Sequence, residues 1–454
     1  IIQKFPLQDS TATHGSSAII PLTDNKLLFF WTENEKLFLV NYEGSNYYNK
    51  RVLIENIFSK YNYKILSVLK TNTNRIILVY TDNTATLRSI ISIFSDDEGI
   101  SWSNPNFITS TTEDYGYMNP SLSQTKDGTI WLLFNQSRNL YSIKSNDYGI
   151  NWNSQKLFEN SSYAGSLISD NTNQYYLFYT KGNYNQDTSY IYYKISSDSG
   201  NTWQNSNKIS PINSQDFSPC AFFTKTGEIK LLFVKKYINL DEYIFNFPYP
   251  YENLDYELCY ITSSNNCSTW SKPKKFTKYA GFDYLSNLTF YNDIPFVTFL
   301  STRTISEING DLNKPQIWFG ILDHSADKIT PPVIQKTNTI PVLPRGDTST
   351  TFTAMVYDNE LMNVQLIYSL NGIKQEPISM NDQGLNGDKL ANDSIYSFRF
   401  NNFDLLDQVE YYIKASDISK NITRTKKYNI DFLFPNSQKY YNFDINNFKL
   451  PINN

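Results

Sequence analysis

Short apolar runs occur in pairs, each pair divided by a polar turn, six times over the first two-thirds of the chain. The first runs open at Gly15-Ser-Ser-Ala-Ile, Lys64-Ile-Leu-Ser-Val, Met118-Asn-Pro-Ser-Leu, Tyr163-Ala-Gly-Ser-Leu, Phe217-Ser-Pro-Cys-Ala and Asp283-Tyr-Leu-Ser-Asn. The second runs cover 27–31, 76–80, 130–134, 175–179, 229–233 and 295–299. Runs this short, rich in β-branched and aromatic residues, predict strands rather than helices. Asn25, Asn74, Gly128, Asn173, Gly227 and Asp293 stand at the turns, and these residue types tolerate a positive φ.

A second pattern comes after the strand pairs. Ser95, Asp97, Gly99 and Trp102 spell S-x-D-x-G-x-x-W, which returns at Ser145, Asp147, Gly149, Trp152 and at Ser196, Asp198, Gly200, Trp203. A worn copy has Ser263, Asn265, Cys267 and Trp270, and Gly44 with Tyr47 mark a degraded one. The three full copies are about 50 residues apart, a period that fits propeller blades of several strands. The repeat reads as structural. The aspartate bonds the amides of its own turn, the glycine allows the left-handed conformation, and the tryptophan wedges between sheets. Six units predict six blades. The sixth takes its third strand from Gln316-Ile-Trp-Phe-Gly-Ile-Leu and its outer strand from Ile1-Ile-Gln-Lys-Phe, which closes the ring. The fifth carries an insertion at about 235–255 that includes Phe245-Asn-Phe-Pro-Tyr-Pro-Tyr-Glu, either a functional loop or a packed lid or interdomain contact.

After Thr330-Pro331-Pro332 the repeat stops. Short alternating strands begin at Thr350, Val364, Ile395 and Val409, which predicts a β-sandwich. The expected domains are thus a propeller over 1–329, a sandwich over 330–432 and a C-terminal extension over 433–454. The fold class is all-β: a six-bladed propeller followed by an Ig-like sandwich.

Composition narrows the classes of function. Among 454 residues 16% are aromatic and 19% charged, with a net charge of −4. No basic stripe supports nucleic-acid binding, and no apolar run of about 18 residues spans a membrane. Cys220, Cys259 and Cys267 are too few for a disulfide framework, and their pairing is left open. Sequons begin at Asn135, Asn160, Asn266, Asn287, Asn392 and Asn421, and the chain opens on Ile1 rather than Met. Both fit a secreted or cell-surface glycoprotein from which a leader has been removed.

The repeated box resembles the Asp-box, or BNR repeat, of the sialidase superfamily, over about residues 14–329. The resemblance implies a six-bladed propeller that binds ligands at the axial end, where the inner strands begin. It also implies an arginine on the first inner strand for gripping a substrate carboxylate. Gly15, Lys64, Met118, Tyr163, Phe217 or Asp283 stands there instead, a departure that weighs against a standard sialidase site. Arg88, Arg138 and Arg303 could form a substitute cluster, and Tyr256 with Glu257 is similar to the family's tyrosine–glutamate pair. His14 and Asp283 are the acid–base candidates. Lys64, Asp114, Tyr117, Asn119, Tyr163, Asp216 and Tyr284 are expected near the axis, a mixture that suits sugars. In the second domain, residues 382–396 and 409–417 resemble extracellular Ig- or fibronectin-like modules. Oxygen ligands at Asp382, Asn386, Asp388, Asn392 and Asp393 suit calcium, and the same residues suit a metal-free hairpin; no other cofactor is expected.

The leading expectation is a non-catalytic surface protein that binds glycans or protein partners. The alternative is a sialidase-like glycoside hydrolase or polysaccharide lyase. A third reading is a self-assembling subunit of a surface lattice or filament.

Overall fold

The computed structural model describes residues 2–322 and 332–432. Within these it leaves out 10–11, 13, 25, 45, 58–64, 83–86, 113–116, 184–187, 212–213, 239–253, 278–282, 292–293, 302–314, 347, 359–360, 392 and 419. The chain divides into two units, Ile1–His324 and Ser325–Asn454.

In the first unit the described residues form four-stranded antiparallel sheets, the units of a propeller. The first sheet joins His14–Pro21, Leu27–Glu33, Lys36–Glu43 and Asn46–Ile54. The second joins Leu66–Lys70, Ile76–Asp82, Arg88–Ser95 and Asn106–Thr111. The third joins Tyr117–Gln124, Ile130–Gln136, Asn139–Ser145 and Lys156–Glu159. The fourth joins Ser162–Ser169, Tyr175–Asn183, Thr188–Ser196 and Asn207–Lys208. The fifth joins Asp216–Phe223, Ile229–Ile238, Leu254–Ser263 and Lys274–Lys275. The sixth joins Asp283–Tyr291, Ile294–Ser301, Gln316–Ile321 and the N-terminal Ile2–Lys4, which pairs antiparallel through Ile2↔Gly320. The turns between first and second strands are left-handed where the residue types predict it, at Asn74, Gly128, Asn173 and Gly227.

An apolar core lies between each sheet and the next. A further core, built from Phe5, Phe29, Trp31, Leu300 and Ile317, joins the sixth sheet to the first. Second strands are buried along nearly their whole length, as in Leu27–Glu33 and Ile130–Gln136. They are therefore continuous apolar runs rather than alternating ones.

The repeated turns have the predicted chemistry. Ser95 Oγ donates to Asp97 Oδ1 at 2.8 Å and accepts the Gly99 amide at 2.8 Å, while Asp97 accepts the Ser101 amide at 2.9 Å. The same bonds recur at Ser145, Asp147 and Asn151 and at Ser196, Asp198 and Thr202. The Thr202 hydroxyl and amide hold the Asp198 carboxyl down to about 2. In the worn copy Asn265 replaces the aspartate as acceptor, and Cys267 takes the left-handed position at φ 67°. Each tryptophan packs back on the preceding sheet: Trp102 on Phe30, Trp203 on Trp131, and Trp270 on Phe178. The first-sheet turn differs. Glu43 pairs with Asn46 across a two-residue hairpin, and Tyr47 serves as a wedge from within a strand, against Phe5 and Phe29. In the fifth sheet, strands extend into the expected insertion at both ends, as far as Ile238 and Leu254. The aromatic stretch 245–252 lies outside the described residues.

The second unit has two described sheets. One joins Val333–Ile340, Thr350–Tyr357 and Ile395–Phe400; the other is built on Leu361–Leu370 and Gln408–Asp417. Strict alternation of buried and half-buried residues along Gln408–Asp417 shows that one face of this strand is covered. That face meets Phe352, Ala354 and Val356 of the first sheet in a shared core. The strands Val333–Ile340, Ile422–Arg424 and Tyr428–Asp431 are not among those the sequence pattern predicts. No helix among the described residues is long and apolar enough to cross a membrane.

Candidate functional site

The inner strands of neighbouring sheets lie side by side around the ring. Links between sheets hold equivalent levels together. The Leu122 and Ala221 amides donate to Ser67 Oγ and Ser166 Oγ of the preceding sheets, both at 3.0 Å. Both serines occupy the fourth position of the inner-strand pattern, so that serine records a pin between sheets. The inner strands therefore begin at one end of the ring, which collects His14, Asn119, Tyr163, Asp216, Asp283 and Tyr284.

Near that end the inner strands bulge. Register shifts fall at His14/Ser17, Met118/Ser121, Tyr163/Gly165, Phe217/Cys220 and Leu285/Asn287. Asn119, Ala164 and Ser218 hold the same position in three consecutive sheets, each left-handed, at φ 54°, 47° and 53°. Non-glycine residues in this conformation store about 1–2 kcal/mol each. Local bonds hold them there. The Ala164 amide donates to Asn135 Oδ1 at 2.7 Å, and the Ser218 amide to Thr180 Oγ1 at 3.1 Å. Bulges of this kind re-aim side chains and recur beside binding sites.

Three carboxylates among the described residues at this end are paired within their own sheets. Asp216, Lys235 and Glu257 stand opposite one another on three adjacent strands. Lys235 Nζ lies 2.9 Å from Asp216 Oδ1. Glu257 is fully buried and accepts from Thr277 Oγ1 at 2.6 Å and Lys275 Nζ at 3.3 Å. In the first sheet, Glu33 lies 3.5 Å from the buried His14 imidazole and accepts from the Trp31 indole at 3.2 Å and the Asp9 amide at 2.9 Å. Burial pushes the Glu33 carboxyl upward, but the adjacent His14 imidazole and these donors outweigh it and leave the group below the usual range. Asp283 is wholly buried at the start of its strand.

Aromatic and neutral polar groups complete the end. Phe217 meets Tyr256 edge-on at 5.7 Å and Tyr284 at 5.9 Å, and Ser218 Oγ donates to the Tyr284 hydroxyl at 3.2 Å. The contact also places the two residues of the expected Tyr256–Glu257 pair. Successive strand residues point to opposite faces, so Tyr256 joins the aromatic cluster while Glu257 faces Lys275. Two of the three arginines expected to form a substitute cluster are among the described residues. Arg88 opens a third strand beside Thr111, and Arg138 sits in the two-residue turn after Gln136, both outward of the inner strands. Lys64, Asp114 and Arg303 lie outside the described residues, and of Tyr117 only the backbone is described. Lys235, Lys275, Thr277 and Glu33 were not expected from sequence. Antiparallel register alone could have pointed to Lys235 opposite Asp216.

Two sequons are corrected. Asn135 is 1% exposed, and its Nδ2 donates to the Ser162 carbonyl at 2.8 Å. The Asn287 Nδ2 is buried. Neither amide nitrogen can carry a glycan in this fold. Cys220, Cys259 and Cys267 are thiols rather than disulfide partners, and burial pushes the Cys267 thiol up to about 12.

In the second unit Asp382, Asp388 and Asp393 offer carboxylate oxygens within 4.8 Å of one another. Burial and the neighbouring carboxylates raise the Asp393 carboxyl to about 6. Burial also raises Asp382, although that group accepts the Ser394 and Asp393 amides. Asn386 is exposed, in a left-handed turn conformation, and Asn392 lies outside the described residues.

No family model and no curated protein matches the chain. Among solved structures it is similar to an α-L-arabinanase of Penicillium chrysogenum complexed with arabinobiose, at 12% identity and a TM-score of 0.48, over 70% of this chain and 96% of that one. A sialidase variant of Streptococcus pneumoniae is similar at 10% identity and a TM-score of 0.47, over 71% and 70%. A protein of unknown function from Dyadobacter fermentans is similar at 12% identity and 0.40, over 78% and 94%.

Proposed function

We propose that the first unit is a closed six-bladed Asp-box propeller that binds carbohydrate, without cleaving it, at the end where the inner strands begin. It would form part of a secreted or cell-surface protein whose second unit is an Ig- or fibronectin-like module. One observation carries this reading. Asp216, Glu257 and Glu33 are each engaged by a basic group of their own sheet, while Tyr256, Tyr284, Phe217 and Ser218 form a separate aromatic and hydroxyl cluster at the same end. Mixed aromatic and neutral polar surfaces suit sugars. The second reading, a glycoside hydrolase, is favoured by the His14–Glu33 pair, since a carboxylate beside an imidazole orients a general base. A panel of neutral and acidic oligosaccharides and chromogenic glycosides separates the two. Binding without turnover is expected. Turnover that disappears in folded His14→Ala and Asp283→Ala variants would establish the hydrolase, and no binding to any glycan would refute both.

The acidic loop of the second unit is proposed to take calcium, whose hard oxygen ligands these are. Because the Asp393 carboxyl titrates near 6 in the fold and near 4 when unfolded, the folded form binds the extra proton between those values. Stability of this unit should therefore fall as pH rises through that window, by about 1–2 kcal/mol after discounting for partial exposure. Asp393→Asn should relieve that loss at pH 7, and calcium should raise the melting temperature of the parent but not of the variant. Equal calcium responses in the two proteins would exclude the site.

A further inference from the structure

One end of the second unit carries an apolar surface that the proposed function does not use. Strand Val333–Ile340 ends there, Thr350–Tyr357 begins, Ile395–Phe400 ends and Gln408–Asp417 begins, as the partners Ile340↔Thr351, Thr350↔Phe400 and Gln408↔Asp431 require. The hairpin after Leu370 reaches the same end, because the Asn371 amide donates to the Gln408 carbonyl at 2.8 Å. The connections at this end expose Ile340, Val342, Leu343, Ile373, Leu405 and Leu406, with Leu343 at 80% and Leu406 at 69%. They belong to neighbouring connections: an added Cβ at Gly346, just beyond Leu343, would lie 2.9 Å from the Leu405 Cα. Isolated exposed leucines need no explanation, but a group of six at one end marks a surface that something covers.

The position of Phe432 indicates the occupant. Its amide donates to the Asp407 carbonyl and its carbonyl accepts the Leu406 amide, both at 2.9 Å. Its ring is fully buried and stacks on Phe403 at 4.5 Å. The chain therefore leaves the unit immediately beside Leu405 and Leu406. Beyond Phe432 runs a 22-residue segment, 433–454, that carries Phe434, Tyr440, Tyr441, Phe443, Phe448 and Leu450. Even a few extended residues, at about 3.3 Å each, span the distance from Phe432 to a neighbouring connection. We propose that the exposed apolar end of the second unit is the docking surface for the chain's own residues 433–454, which then act as a cap on it.

Limited trypsin digestion of the full chain tests this, with cleavage read at Lys439 and Lys449 by mass spectrometry. A docked segment is cut only when it opens, so its cleavage is slow. In the full-length double variant Leu343→Ser/Leu406→Ser, both positions being already exposed, cleavage at Lys439 and Lys449 should be about tenfold faster, or about 1.4 kcal/mol of lost docking. The thermal transition of the second unit should stay within a few degrees of the parent, which separates loss of docking from loss of fold. A variant with Phe443→Ser and Phe448→Ser should give the same acceleration from the other side of the contact. Rapid cleavage of the parent, at the rate of the variants, would overturn the proposal. Protection that disappears on dilution would overturn it too, by assigning the surface to a second copy of the chain.

Discussion

Gly200→Ala should destabilise the first unit by about 3 kcal/mol, whereas Gly227→Ala should cost about 1 kcal/mol. Both glycines are left-handed, at φ 76° and 82°, so the conformational penalty for alanine is the same. Their surroundings differ. A Cβ at Gly227 meets nothing within 4 Å, but at Gly200 it would lie 2.7 Å from the ring of Trp131. That ring cannot retreat, since Tyr175 and Trp203 pack on it edge-on and Lys144 Nζ lies 3.8 Å from a ring centroid. The difference between the variants isolates the contact between consecutive sheets from the turn itself. All seven tryptophans lie in the first unit, so urea unfolding followed by tryptophan fluorescence reports on it alone. Equal midpoints for the two variants would show that the third and fourth sheets do not meet at this turn.

Glu257→Ala is expected to cost about 3 kcal/mol, because truncating one partner of a buried ion pair leaves the other inadequately compensated. Lys275 is 24% exposed and recovers part of its hydration, which places the loss at the lower end of the usual range. The double variant Glu257→Ala/Lys275→Met should be less destabilised than the two single losses added together, a coupling that a double-mutant cycle measures. The comparison also bears on function. If Glu257 clamps the fifth sheet, Glu257→Gln lowers the urea midpoint and leaves glycan affinity intact at low temperature. An unchanged midpoint with lost affinity would instead place Glu257 against the ligand.

The repeated turns were legible in the sequence because each depends on a few residue types at fixed local spacing. Serine, aspartate, glycine and tryptophan do their work within one turn and the sheet behind it, so spelling and structure correspond one to one. The same holds for the left-handed turn residues Asn74, Gly128, Asn173 and Gly227. The site was less legible because its contacts cross strands. Lys235 lies far from Asp216 in sequence and reaches it only through antiparallel register. Tyr256 and Glu257 are adjacent in sequence, yet the pleat sends them to opposite faces. Asn135 matches a glycosylation sequon by spelling, but its amide is spent on the Ser162 and Asn139 carbonyls and the Ala164 amide. Local patterns report backbone geometry well; which side chains meet is decided by the pairing of distant strands.

The pairing of Ile2–Lys4 with Gln316–Ile321 has a consequence for how the chain is made. Gln8 Nε2 donates to the carbonyl of Ile317, 309 residues away, and Gln8 Oε1 accepts the Ile317 amide. During synthesis, every other sheet of the first unit can form from strands close in sequence, but this one must wait until almost the whole unit has left the ribosome. Contacts of such long separation form late, because the loop-closure entropy must be met before they contribute. Until then Gln316–Ile321 lacks its edge partner and Phe5 lacks the Ile317 side of its core. The growing chain is thus most exposed to mispairing with a neighbouring nascent chain just before its ring closes.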